Sequence, residues 1–117
     1  MDLQLHMEHH RRVLIVRLSG ELDHHTADQV RVQMDEAIMR QQCEHVVLNL
    51  QHLQFMDSSG LGVILGRYKL LKQKGGKMAI CEANTAVYRL LEMSGLFKIM
   101  PCYEKEDNAL TEMEVVS

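Results

Sequence analysis

The hydrophobic pattern of this chain switches repeatedly between a period of two and a period near four. Leu3-Gln4-Leu5-His6-Met7 alternates apolar and polar, as a half-buried strand does. His9 to Arg12 is a polar turn. Val13-Leu14-Ile15-Val16-Arg17-Leu18 then reads as a β-branched strand that Ser19-Gly20 is expected to end. So short a connection makes these two an antiparallel hairpin. A helix is predicted from about Thr26 to Arg40, because Ala27, Val30, Met34, Ala37 and Ile38 fall on one face. Asp23 and Thr26 are its candidate caps, and Gln29, three residues after Thr26, fits a capping box.

Val46-Val47-Leu48-Asn49-Leu50 has little alternation, the pattern of a central strand covered on both faces. Leu61, Ile64, Leu65, Tyr68 and Leu71 form the stripe of a second helix, which Gly75-Gly76 stops. Met78-Ala79-Ile80-Cys81 is the next strand. Asn84 caps a third helix with Val87, Leu90 and Leu91 inward and Gly95 just past its end. Leu96 to Tyr103 holds the only proline, Pro101, and a short edge strand; Asp107 to Glu112 forms a last helical turn. The order β-β-α-β-α-β-α-β-α implies one α/β domain over residues 1–117: a mixed sheet of four to five strands, about four helices and an N-terminal β-hairpin.

Composition narrows the function classes. At 117 residues, 46% hydrophobic and 25% charged, the chain is an ordinary globular domain that needs no disulfide or metal. Its net charge of −3 and the absence of a basic cluster argue against nucleic-acid binding. The polar N-terminus is no signal peptide, and no apolar run spans a bilayer, so a cytoplasmic location without membrane attachment is expected. Cys43, Cys81 and Cys102 fit neither a disulfide framework nor a metal motif, and Cys81 is expected as a buried hydrophobe. His9-His10 and His24-His25 have no i, i+4 partner and read as solvated loop histidines rather than metal ligands.

The stretch Phe55-Met56-Asp57-Ser58-Ser59-Gly60-Leu61-Gly62 carries the candidate chemistry. Asp57 or Ser58 can cap the second helix, yet two consecutive hydroxyls exceed what one cap requires. Gly60, Gly62 and Gly66 are interior glycines, each costing a helix about 1 kcal/mol relative to alanine. Gly62 and Gly66 share a face that another backbone can approach closely. The spacing is not that of a phosphate-binding loop: no Gly-Lys-Ser/Thr follows, and Leu65 stands where a dinucleotide fingerprint needs its third glycine. Gly-x-Ser-x-Gly is absent too, which leaves a hydrolase poorly supported. Phosphorylation of a helix-start serine fits better. It adds about −1.5 to −2 of charge, which exposed amides and the helix dipole tolerate, so the effect falls on a docked partner. Asp57, and Asp23 from another loop, would leave that charge poorly neutralised.

At these residues the chain resembles the STAS-domain anti-sigma factor antagonists, nearest to those controlling the first forespore-specific sigma factor in sporulating Bacillus-type bacteria. The resemblance covers Leu3 to the C-terminus. It rests on Gly20-Glu21-Leu22-Asp23 with Thr26-Ala27, on Val46 to Leu50, on Phe55 to Gly62, and on Met93-Ser94-Gly95-Leu96-Phe97. Many members of that family carry aspartate where this chain has Asn49. The resemblance implies a non-enzymatic partner-switching protein without a cofactor of its own. Unphosphorylated, it would bind an anti-sigma factor that is also a serine kinase, and so free the sigma factor. The kinase would use ATP to modify Ser58, with Ser59 as fallback, and a PP2C-type serine phosphatase would reset it. Asp23, Asp57, Ser58, Ser59, Gly60, Leu61 and Gly62 would form the partner surface. A small-ligand or nucleotide-sensing STAS module is the alternative reading.

Overall fold

The computed structural model describes residues 2–40 and 43–116. Five strands form one sheet in the order β1-β2-β3-β4-β5: β1 (Leu3–His10), β2 (Val13–Leu22), β3 (His45–Met56), β4 (Met78–Cys81) and β5 (Cys102–Tyr103). The first pair is antiparallel and the rest are parallel, as expected of a hairpin followed by helical crossovers. The helices are α1 (Ala27–Arg40), α2 (Ser58–Gln73), α3 (Thr85–Met93) and α4 (Glu106–Val116), with a 3₁₀ turn at Leu96–Lys98. Helices α1, α2 and α3 pack Val30, Met34, Ile38, Ile64, Val87 and Leu91 onto one face of the sheet. Helix α4 covers the other face, with Ala109 and Met113 against Val13, Val47, Ala79 and Cys81. Cys81 is the buried hydrophobe expected, and burial pushes its thiol up to about 12.

Several boundaries differ from the sequence reading. Strand β1 continues through His9 and His10, so the turn is only Arg11-Arg12, with Arg11 at φ 58°. Ser19-Gly20 does not end β2. Gly20 sits at φ 108° within the strand, where a side chain would run into the Asp2 carbonyl. Strand β3 runs six residues beyond Leu50, to Met56, because its pairing with β2 slips twice. Arg17 faces Asn49 but Ser19 faces His52, and Gly20 faces Leu53 but Glu21 faces Phe55. Each bulge inserts one residue into β3. Its buried positions therefore recur every third residue, at Leu50, Leu53 and Met56, and the alternation that announces a strand is lost. Helix α4 is likewise longer than the single turn expected.

The capping box proposed for Thr26 and Gln29 does not form. The Thr26 hydroxyl donates to the Glu21 carbonyl at 2.8 Å and accepts from the Asp23 N–H at 3.0 Å, while the Gln29 amide donates to the Leu3 carbonyl at 3.2 Å. Asn84 does cap α3, accepting from the Val87 N–H at 2.9 Å and donating to the Leu53 carbonyl at 2.7 Å.

A polar network docks α4. Arg17 and Asn49 are opposite one another on β2 and β3, and Glu106 at the start of α4 reaches both. The Arg17 guanidinium donates to Glu106 through Nε and an Nη, at 3.0 and 2.8 Å, and Asn49 Nδ2 donates to Glu106 Oε1 at 2.8 Å. The Glu82 carboxylate accepts the Glu106 N–H at 2.9 Å and so caps the helix. The bond from Arg17 holds the Glu106 carboxyl below its ordinary range, against the upward push of burial. Asn49 is thus a neutral donor between two carboxylates. Asn49→Asp would replace that donor with a third negative charge and is expected to cost about 1–3 kcal/mol at neutral pH. The penalty follows the ionised form, which those carboxylates disfavour, so it should fade as pH falls towards about 4, the ordinary carboxylate range. Urea unfolding of the two proteins at pH 7 and pH 4 measures it; equal midpoints at pH 7 would remove Asn49 from the network.

Candidate functional site

The site forms where two parallel strands end together. Leu22 and Met56 are register partners at the last pair of β2 and β3, and the Asp57 N–H donates to the Leu22 carbonyl at 3.2 Å. The residues that follow, Asp23 and Asp57, therefore leave the sheet side by side, Asp57 directly into α2 and Asp23 into the short loop before α1. This is the end of an open α/β sheet at which function collects.

Asp57 is the N-cap of α2, in an extended conformation, and its carboxylate accepts the Ser59 N–H at 2.9 Å. The sequence left Asp57 and Ser58 as alternatives; Asp57 takes the role because its carboxylate reaches back over the first turn. Ser58 becomes the first helical residue, exposed, with its hydroxyl not engaged as the cap. Ser59 is half-buried. Leu61 is half-buried against the main core, and Gly62 is exposed with open space around it.

Asp23 lies at the same end of the sheet, but its carboxylate is turned into its own loop. Only 7% of the residue is exposed. Oδ1 accepts the backbone N–H groups of His25 and Thr26 at 2.9 and 3.1 Å. Burial acts to raise its pKa, and these donors outweigh it, so Asp23 stays ionised below the usual carboxylate range. Its evident task is to shape the loop that flanks Ser58.

Three neighbours were not assigned to this site by the sequence: His24 and His25, expected as solvated loop histidines, and Phe55. His24 and His25 are exposed on the Asp23 loop, their ring centroids 3.9 Å apart. Phe55 is 48% exposed opposite Glu21, one pair before the strands end. The histidines carried a signal in following Asp23 directly. Phe55 carried none, because the bulge that turns it outward is invisible in a single strand's pattern. Among the described residues no group of three His, Cys, Asp or Glu side chains is placed to hold a metal ion. No helix among them is long and apolar enough to cross a membrane.

The glycines divide into two kinds, although helix propensity alone would favour alanine at each of them. Gly60 is buried, and a Cβ there would press into the Met56 side chain and Leu22 beneath it. At Gly62 and Gly66 a Cβ would meet nothing. Gly60→Ala should therefore destabilise by about 1–3 kcal/mol despite its better helix propensity. Gly62→Ala should stabilise by up to about 1 kcal/mol. Urea midpoints decide, and a Gly60→Ala protein as stable as the parent would refute the packing account.

Comparison with known proteins fits this geometry. Residues 4–109 match the STAS domain. The chain is 76% identical over 117 residues to an anti-sigma F factor antagonist of Paenibacillus polymyxa, covering 100% of both. It is similar to the solved structure of the anti-sigma factor antagonist SpoIIAA in its unphosphorylated form, at 29% identity and a TM-score of 0.73, covering 95% of this chain and 98% of that one. The Bacillus cell fate determinant SpoIIAA in the phosphorylated form gives 30% identity and a TM-score of 0.75, with 93% and 98% covered. The chain belongs to the STAS domain family, among its anti-sigma F factor antagonists.

Proposed function

We propose that this protein is a phosphorylation-controlled antagonist whose switch is Ser58. In the unphosphorylated state it binds an anti-sigma factor that is itself a serine kinase, and so releases the sigma factor. The kinase phosphorylates Ser58 with ATP and lets go; a PP2C-type serine phosphatase restores the binding form. The protein acts in the cytoplasm as substrate and ligand, not as an enzyme, and needs neither a cofactor of its own nor direct contact with nucleic acid.

The observation that carries this reading is the division of labour at the start of α2. Asp57 supplies the cap, which leaves the Ser58 hydroxyl exposed and free for chemistry. Ser59 is the poorer acceptor, being half-buried with its N–H held by Asp57. That SpoIIAA, a relative, has been solved in both a phosphorylated and an unphosphorylated form supports the same reading.

Electrostatics gives the switch its direction. A phosphate on Ser58 brings about −1.5 to −2 of charge to a helix N-terminus, where the dipole favours it, so the fold is retained. Asp57 is adjacent, and the ionised Asp23 lies on the neighbouring loop, so the added charge accumulates on one surface. A partner bringing acidic groups to that surface is repelled, while Phe55 and the open strip at Gly62 and Gly66 offer it apolar contact and close approach.

Incubation with the cognate kinase and ATP should add one phosphate by intact mass, mapping to Ser58. Ser58→Ala should accept none and bind the kinase persistently. Ser58→Asp should bind at least about tenfold more weakly, the cost of one unfavourable charge contact. Transfer to another residue, or tight binding by Ser58→Asp, would overturn the assignment or its electrostatic cause respectively.

A further inference from the structure

At the far end of α2 from Ser58 the structure holds a cavity that the switch does not use. Lys72 lies fourteen helical steps after Ser58, about 21 Å along the axis. The cavity measures about 420 Å³, within the range of small-molecule sites. It exists because the sheet stops early. Strand β5 pairs only with Ile80 and Cys81, and Pro101, which has no N–H to donate, stands immediately before it. Beyond that point α2 on one face and α4 on the other overhang β4 with no strand between them.

The walls combine flat apolar surface with positive charge. Tyr68 and Tyr103 face the space together with Ile99 and Pro101, and Ile99 is 44% exposed, high for an aliphatic side chain. Lys72 and Lys77 stand at the same opening, the Lys72 ammonium 5.8 Å from the centroid of the Tyr68 ring. Glu112 is the acidic member of the lining, so the lining carries a net charge of one positive, from two lysines against one glutamate.

The floor is held in place before any ligand arrives. Gly76 donates its N–H to the Leu71 carbonyl at 2.8 Å and packs so closely on the Glu44 carbonyl that a side chain has no room. The Lys77 N–H donates to Nδ1 of the buried His45 at 3.0 Å, and the Lys77 carbonyl accepts from Val46 at 3.0 Å. Burial keeps the His45 imidazole below its ordinary pKa and hence neutral, as an acceptor at Nδ1 must be. Lys77 is therefore presented from a fixed backbone, so the ordering left to binding is that of side chains.

We infer that this cavity is a binding site for a small anion built on a flat apolar ring system, its carboxylate or phosphate between Lys72 and Lys77 and its ring against Tyr68 and Tyr103. The inference does not rest on the assignment of Ser58, and its test involves no kinase.

The probe is 2-naphthoate, titrated into the uniformly ¹⁵N-labelled full chain and followed by amide chemical shifts. The expected result is saturable movement of the Lys77, Met78, Ile99 and Tyr103 amides with Kd of about 1 mM or tighter, the ordinary efficiency of a ligand of that size. The double variant Lys72→Gln/Lys77→Gln should bind at least about fivefold more weakly. The neutral analogue 2-naphthylmethanol should be weaker by a similar factor on the unaltered protein, a comparison that holds even if the variant folds poorly. Absence of saturable shifts at these amides, or equal affinity for the charged and neutral probes, would overturn the inference.

Discussion

The parallel pairing of β2 with β3 is the constraint on which the rest of the molecule depends. It supplies the centre of both hydrophobic layers and, with its two bulges, carries both strands past the point where a regular ladder would have turned. The result is that Leu22 and Met56 end in register, and the loops that begin with Asp23 and Asp57 emerge together. Without the second slip, Phe55 would stand opposite a different residue of β2, and the Ser58 helix would start from a different height above the Asp23 loop. The bulges are thus what makes one surface out of two segments more than thirty residues apart.

That surface is fixed mainly by backbone donors. Asp57 satisfies an orphan N–H of α2, and Asp23 satisfies two in its own loop. Both carboxylates are consumed locally, which holds the loops rigid and leaves a serine presented on a preformed helix start. Gly60 works from below: it lets the first turn of α2 settle onto Met56 and Leu22, the pair that closes the β2–β3 ladder. The site and the end of the sheet are therefore one packing unit. The shape is already present, so the proposed phosphorylation of Ser58 would change its charge with the backbone retained.

The opposite layer is held differently. Arg17, Asn49, Glu82 and Glu106 join three strands' worth of sheet to the first turn of α4 through charge-assisted bonds. Asn49 stands out because its neutral amide bridges two carboxylates that would otherwise repel.

Local signals carried much of this. Alternation in Leu3 to Met7, the β-branched run from Val13, the helical spacing of Val30, Met34 and Ile38, and the Asn84 cap all depend on nearest neighbours along the chain. Each was legible, together with the α/β class and the hydroxyl-rich helix start at Ser58. What could not be read were outcomes set by residues distant in sequence. The threefold spacing of Leu50, Leu53 and Met56 makes sense only once β3 is seen slipping against β2. The diversion of Gln29 to the Leu3 carbonyl and the difference between a Gly60 packed on Leu22 and an open Gly62 were likewise tertiary decisions. A periodic pattern reports which face of an element is buried. It does not report against what, and in this protein the partner across the interface decided the register of the strands, the use of each polar side chain and the room at each glycine.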